Sequence, residues 1–207
     1  MTGMFVKICG ITRVEDAVAA AELGADAIGF IFWPGSPRFV DPYRARRIAA
    51  ALPRLVRTVG VFVDQPADYI AGVANLVRLF AVQLHGDETP HAVAAVGRPA
   101  IKSIKASTSC LEQWPSSVTL LLDAHDPVTK GGTGTPVDWN AAAAIAAKRP
   151  LLLAGGLTPD NIADAIARVR PFGVDVSSGV ETSPGVKNHA RMQALFKAIH
   201  GHHNVTA

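Results

Sequence analysis

Val6-Lys7-Ile8-Cys9-Gly10-Ile11-Thr12-Arg13 is an apolar run that ends on a cysteine, turns at a glycine and passes at once into helical spacing. It reads as a strand, a tight turn and a helix, with Cys9 at the C-terminal end of the strand. The pattern then repeats. Short β-branched runs recur at 5–9, 27–32, 58–63, 81–84, 100–104, 118–123, 151–154 and 174–177. Alanine-rich stretches with helical spacing lie between them, at 14–23, 43–52, 67–77, 90–96, 139–147, 161–169 and 189–199. Continuous apolar strands alternating with helices imply a parallel sheet covered by helices. Eight strands count to a closed barrel, an α/β single-domain (β/α)8 TIM barrel over residues 1–200 with a flexible tail at 201–207.

The chain's 207 residues suit that count, since roughly 26 residues per unit lies near the short end for such barrels. An open doubly wound sheet would want a GxGxxG turn after the first strand, and Cys9-Gly10-Ile11-Thr12 does not supply one. The fifth unit is the weakest, because 107–114 has little helical periodicity; a short or irregular helix is expected there. Gly24 and Gly97 read as the ends of the first and fourth helices. Thr158 before Pro159 reads as an N-cap with proline in the first turn.

Composition narrows the class of function. Hydrophobic residues make up 49% and charged ones 18%, which suits a soluble globular domain with a sizeable core. Cys9 and Cys110 show no CxxC spacing, so neither a disulfide framework nor a metal site is expected. No apolar stretch is long enough for a membrane span, and no signal peptide precedes the first strand, so a cytoplasmic protein is expected. The net charge of +3 is mild and aromatic residues are 6%. Arg44, Arg46 and Arg47 crowd one helix and read as its solvated face rather than a nucleic-acid surface. A small anionic metabolite is the better partner.

Ligands of these barrels bind at the C-terminal ends of the strands. Read in order, those ends carry Cys9, Arg38, Asp64, His85, Asp123, Gly155-Gly156 and Ser177-Ser178-Gly179. Glycines let a backbone approach an anion, and successive N–H groups then point at its oxygens. The loops after strands seven and eight are the recurrent phosphate site of the fold, and a short helix near 178–181 would add its positive end. Asp123 follows four apolar residues, where a carboxylate is costly unless it is paired or working; a partly desolvated carboxyl there can hold and donate a proton. Asp126, in the following loop, is the second choice. Arg38 is suited to pairing bidentately with a carboxylate, and His85 stands at the rim of strand four. Gly131-Gly132-Thr133-Gly134 lacks the Lys-Ser/Thr of a P-loop and reads as a flap over bound ligand. His200, His202 and His203 read as a frayed end.

In their order along the chain these segments resemble the phosphoribosylanthranilate isomerase family of tryptophan biosynthesis. The resemblance is carried by Lys7-Ile8-Cys9-Gly10-Ile11-Thr12, Ser36-Pro37-Arg38-Phe39, Val82-Gln83-Leu84-His85-Gly86, Leu121-Leu122-Asp123, Ala154-Gly155-Gly156-Leu157 and Val174-Asp175-Val176-Ser177-Ser178-Gly179-Val180-Glu181. Val137 and Asn188 are small departures, standing where phenylalanine and aspartate are common. The resemblance implies an Amadori isomerisation of N-(5-phospho-β-D-ribosyl)anthranilate with no metal or organic cofactor. It implies Cys9 as general base, Asp123 as general acid and Arg38 against the anthranilate part. Asp175 and His85 join Gly155, Gly156, Ser177, Ser178 and Gly179 as expected substrate contacts.

A free thiol titrates at roughly 8.5, so Cys9 is expected to need local lowering, with Lys7 two residues back a candidate to stabilise charge. Two other classes compete. Another sugar-phosphate isomerase or lyase would carry an aspartate in place of Cys9, or its acids on other strands. A non-catalytic phosphometabolite binder would need neither Cys9 nor Asp123. Monomer and homodimer are both compatible with the sequence.

Overall fold

The alternation read along the first βα unit holds around the whole molecule. The computed structural model describes residues 3–105, 111–123 and 138–203. Its strands are β1 (Phe5–Ile8), β2 (Ala27–Ile31), β3 (Arg57–Phe62), β4 (Ala81–Leu84), β5 (Ala100–Ile104), β6 (Thr119–Leu122), β7 (Leu151–Leu153) and β8 (Gly173–Val176). They form a closed barrel in chain order. The closing pair is parallel, with Phe5 to Ile8 in register with Gly173 to Val176.

Side chains alternate across the strands, as the pleat requires. Val6, Ile8, Ile28, Phe30, Leu120 and Leu122 belong to the larger core, which they share with helix residues such as Ala17, Ile48 and Leu195. The intervening positions Ala27, Val59, Ala81, Ile101, Leu121 and Leu152 form a second cluster that fills the barrel interior. Both strand faces are therefore buried, which is why the runs are continuously apolar. The same interior-facing series, carried one step past the strands, brings Cys9, Asp123, Ala154 and Ser177 to one mouth.

Among the described residues seven helices cover the barrel: α1 (Val14–Glu22), α2 (Pro42–Ala50), α3 (Ala67–Val77), α4 (Pro90–Ala95), α5 (Trp139–Ala146), α6 (Ile162–Val169) and α7 (His189–His203). The Asp41 side chain caps α2 through the N–H groups of Tyr43 and Arg44, and Asp138 caps α5 in the same way. Gly24 at φ +102° and Gly97 at φ +64° follow α1 and α4, in the backbone region that glycine favours. Arg44, Arg46 and Arg47 lie on the exposed side of α2. In the fifth crossover the described part holds only a 3-10 turn at Leu111–Gln113. Arg149 organises that segment by donating to the carbonyls of Leu111, Trp114, Pro115 and Val118.

Three local readings need correction. Thr158 does not cap α6, which begins at Ile162. The Asn161 carboxamide instead accepts from the Thr158 N–H and donates to the Gly156 carbonyl, so 158–161 forms a turn that secures the preceding loop. α7 runs to His203, four residues beyond the end read from periodicity. Between β8 and α7 stands an unanticipated antiparallel hairpin of β9 (Glu181–Ser183) and β10 (Val186–Lys187). Among the described residues no helix is long and apolar enough to cross a membrane.

Candidate active site

One pocket at the C-terminal mouth is lined by Cys9, Arg38, His85, Asp123, Gly155, Gly156, Asp175, Ser177 and Ser178 together. Nine of the eleven described residues singled out from the sequence thus converge; Gly179 lines the adjoining cavity with Gly156 and Ser178, and Asp64 lies exposed after β3, where it accepts from the Asp87 N–H. Asp126, Cys110 and the Gly131–Gly134 segment lie outside the described residues.

Cys9 is buried, 6% exposed, one residue past β1. Gly10 follows at φ +72°, and a Cβ there would stand 2.6 Å from Arg38 Cδ. Only glycine turns the chain here while leaving room for the arginine. Lys7, on the same face of β1, is fully buried and donates to both carboxylate oxygens of Asp175 at 2.9 Å. Its register partner across the closing pair is that same Asp175. Burial works against the ammonium, but Asp175 and the nearby Cys9 sulfur outweigh it and hold Lys7 above an ordinary lysine. The Cys9 thiol moves up, not down as expected. Burial is the largest cause, Lys7 opposes it, Asp175 adds to it, and Lys187 opposes it further. Desolvation of a thiolate at this depth exceeds what the nearby cations return.

Across the mouth, the Asp123 side chain is 14% exposed and its Oδ2 lies 3.5 Å from His85 Nε2. Gln83 Nε2 stands 2.9 Å from His85 Nδ1 and fixes the ring from below. His85 thus faces a protein carboxylate on one side and a buried amide on the other.

Arg38 and Glu181 form the strongest charge pair of the rim. Glu181 accepts from Arg38 Nε at 3.0 Å with each oxygen and from Nη2 at 2.8 Å. Lys187 Nζ, from β10, donates to Glu181 Oε1 at 2.7 Å and to the Ser177 carbonyl at 3.2 Å. Burial opposes the Glu181 charge, yet Arg38 and Lys187 hold its carboxyl below the ordinary range. The carboxylate that Arg38 meets here is therefore the protein's own. Neither Glu181 nor Lys187 was singled out as a site residue from the sequence.

The loops after β7 and β8 have the backbone an anion requires. Gly155 and Gly156 both adopt positive φ, +80° and +67°. Ser178–Val180 forms a 3-10 turn. A Cβ on Gly179 would overlap the Leu157 carbonyl oxygen, so the two loops touch through bare backbone. Ser177 Oγ is buried with no hydrogen-bond partner, as is Gln83 Oε1. Two orphaned buried oxygens at one pocket are unusual, because such groups are nearly always satisfied.

The fold and the mouth together define a (β/α)8-barrel enzyme with a polar site at the C-terminal rim. The model for N-(5'phosphoribosyl)anthranilate (PRA) isomerase matches residues 6–198. The N-(5'-phosphoribosyl)anthranilate isomerase of Pseudomonas fluorescens is 47% identical over 204 residues, which are 96% of this chain and 100% of the relative. The crystal structure of the Thermus thermophilus phosphoribosyl anthranilate isomerase superposes with a TM-score of 0.88 at 40% identity, covering 96% of this chain and 99% of that one. A further structure of such an isomerase, in complex with reduced 1-(o-carboxyphenylamino)-1-deoxyribulose 5-phosphate, matches at a TM-score of 0.85 and 40% identity over 96% and 99% of the two chains. The chain belongs to the phosphoribosylanthranilate isomerase family.

Proposed function

We propose that this chain isomerises N-(5-phospho-β-D-ribosyl)anthranilate to 1-(2-carboxyphenylamino)-1-deoxy-D-ribulose 5-phosphate in tryptophan biosynthesis, with Asp123 as acid and Cys9 as base. The observation that carries the role assignment is the placement of these two side chains in one pocket beside the Gly155–Gly156 and Ser177–Gly179 turns. A phosphate seated there would meet backbone N–H groups and the unpartnered Ser177 hydroxyl. Arg38 serves the anthranilate carboxylate: Glu181 engages Nε and Nη2, and Nη1 takes no part in that pairing. His85 and Asp175 border the same space.

The chemistry follows from these positions. Asp123, as a carboxylic acid, gives its proton to the furanose ring oxygen as the C1–O bond breaks. The nitrogen lone pair forms the protonated Schiff base, which makes the C2 proton acidic. Cys9, as a thiolate, takes that proton, and the C2–H pair becomes the double bond of an enolamine. Tautomerisation to the ketone follows. At that point Cys9 is a thiol and Asp123 a carboxylate, so Cys9 gives up its proton and Asp123 takes one up, directly or through solvent, before the next turnover. Such acid–base work contributes typically ~10²–10⁴-fold per group.

The purified chain should convert the aminoglycoside with loss of anthranilate fluorescence. A phosphate binder without turnover would leave the fluorescence constant at saturating protein and would defeat the proposal.

A further inference from the structure

Among the large, fully buried side chains of the described residues stands a lysine, Lys7, and the reaction as written gives it nothing to do. Its surroundings are specific. Lys7 sits inside the barrel, clamped by both oxygens of Asp175. Gly29, on the neighbouring strand, leaves the space that the lysine needs. A Cβ on Gly29 would come within 2.8 Å of Cys9 Sγ and 3.1 Å of Lys7 Cε. The thiol and the end of the lysine stem therefore both border one point, at which Gly29 carries no side chain.

We propose that Lys7 is a positioning residue for the base, its buried ammonium sustaining Cys9 as a thiolate while Asp175 fixes the ammonium in place. The proposal rests on Cys9 being the base. A buried ion pair is a weak source of stability, since desolvation consumes most of its Coulomb energy. Placed against a thiol, the same pair has a use. An ammonium facing a thiol favours its anion, and a carboxylate disfavours it. The order of influences on Cys9 agrees, with Lys7 ahead of Asp175.

Other charged groups face Cys9 as well. Lys187 on β10 also favours the thiolate. Arg38, His85 and Asp123 face the pocket from the loop after β2 and the ends of β4 and β6. None of these shares the Gly29 space. Lys7 is the cation that the strand pairing itself delivers to the sulfur.

The test measures the thiolate directly, without turnover. Cys110→Ser leaves Cys9 as the chain's single cysteine. Its thiolate absorbance is then titrated in the intact protein, with Cys9→Ser/Cys110→Ser subtracted. Replacing the pair by neutral groups, Lys7→Met/Asp175→Asn, should move the titration to higher pH by about one unit, or about tenfold less thiolate at a fixed pH on the acid side. Should the double variant fail to fold, Lys7→Met alone gives the same readout, with Asp175 taking up a proton in place of its partner. A structural pair with no bearing on the base would lower the melting temperature and leave the titration where it was, and that result overturns the proposal. The two readings fail separately: full turnover in Cys9→Ser removes the base assignment, whereas an unmoved titration with Cys9 essential removes only the role of Lys7.

Discussion

Arg38 and Glu181 stand 143 residues apart in the chain and share three hydrogen bonds of 2.8 to 3.0 Å at the pocket wall. The pairing fixes the guanidinium plane, and Lys187 offsets the glutamate so that the arginine's charge is not cancelled. An arginine held this way is prepared for a second carboxylate at low entropic cost. Arg38→Ala should raise KM for the carboxylated substrate at least about 30-fold, the scale of truncating one partner of a charge pair. kcat should change far less. A fall in kcat at constant KM would place Arg38 in the chemistry instead of in binding.

The contact of Gly179 with the Leu157 carbonyl makes a separate test. In Gly179→Ala the new methyl group would meet backbone, not a flexible side chain, so the two loops must part. We expect a loss of about 1–3 kcal/mol in stability and weaker binding of inorganic phosphate, both measurable by denaturation with and without the anion. An unchanged stability and phosphate affinity would show that the loops do not form the anion site jointly.

Much of this arrangement was legible in the sequence because the barrel rule converts strand ends into one site. Cys9, Asp123 and Ser177 each close an apolar run, and counting strands places them at one mouth. Lys7 and Asp175 were also visible as charges inside apolar runs, but their pairing depends on the register of the first and last strands, which no local pattern reveals. Glu181 and Lys187 carried still less signal. Glu181-Thr182-Ser183-Pro184 reads as a polar loop, and its burial comes from Arg38, a tertiary partner. The start of α6 differs because Thr158-Pro159 satisfies the local capping preference, while the Asn161 side chain, tied to Gly156, claims those residues for the loop after β7. The direction in which Cys9 titrates was misjudged because sequence shows neighbouring charges but not depth.

That direction sets the pH dependence. Burial raises the Cys9 thiol in the free enzyme, and the base form is the thiolate. The thiolate of Cys9, titrated by its absorbance in the Cys110→Ser protein, should therefore be half formed only above the roughly 8.5 of an ordinary thiol. For stability the sign runs the other way: the buried thiol favours the folded state below the ordinary thiol pKa, and that contribution is lost as pH rises through the raised value. A thiolate already half formed at or below that value would contradict this picture.

Asp123→Asn should stop ring opening, because an amide keeps the shape and the contact with His85 but has no acidic proton to give. We expect kcat to fall roughly 10²–10⁴-fold while product affinity is nearly preserved. Asp126→Asn, with the same charge change three residues away, should alter kcat little. The reverse pattern would move the acid from the end of β6 into the following loop.

The central claim is that the thiol of Cys9 moves the C2 proton, and Cys9→Ser tests it most directly. Serine is nearly isosteric but a far poorer base near neutral pH. Turnover of N-(5-phospho-β-D-ribosyl)anthranilate, followed by its fluorescence in wild-type and variant protein of equal folded fraction, should fall on the order of 10²-fold or more. Binding of the phosphorylated product should persist, since the turns after β7 and β8 are untouched. Near-wild-type turnover in the serine variant would contradict the account.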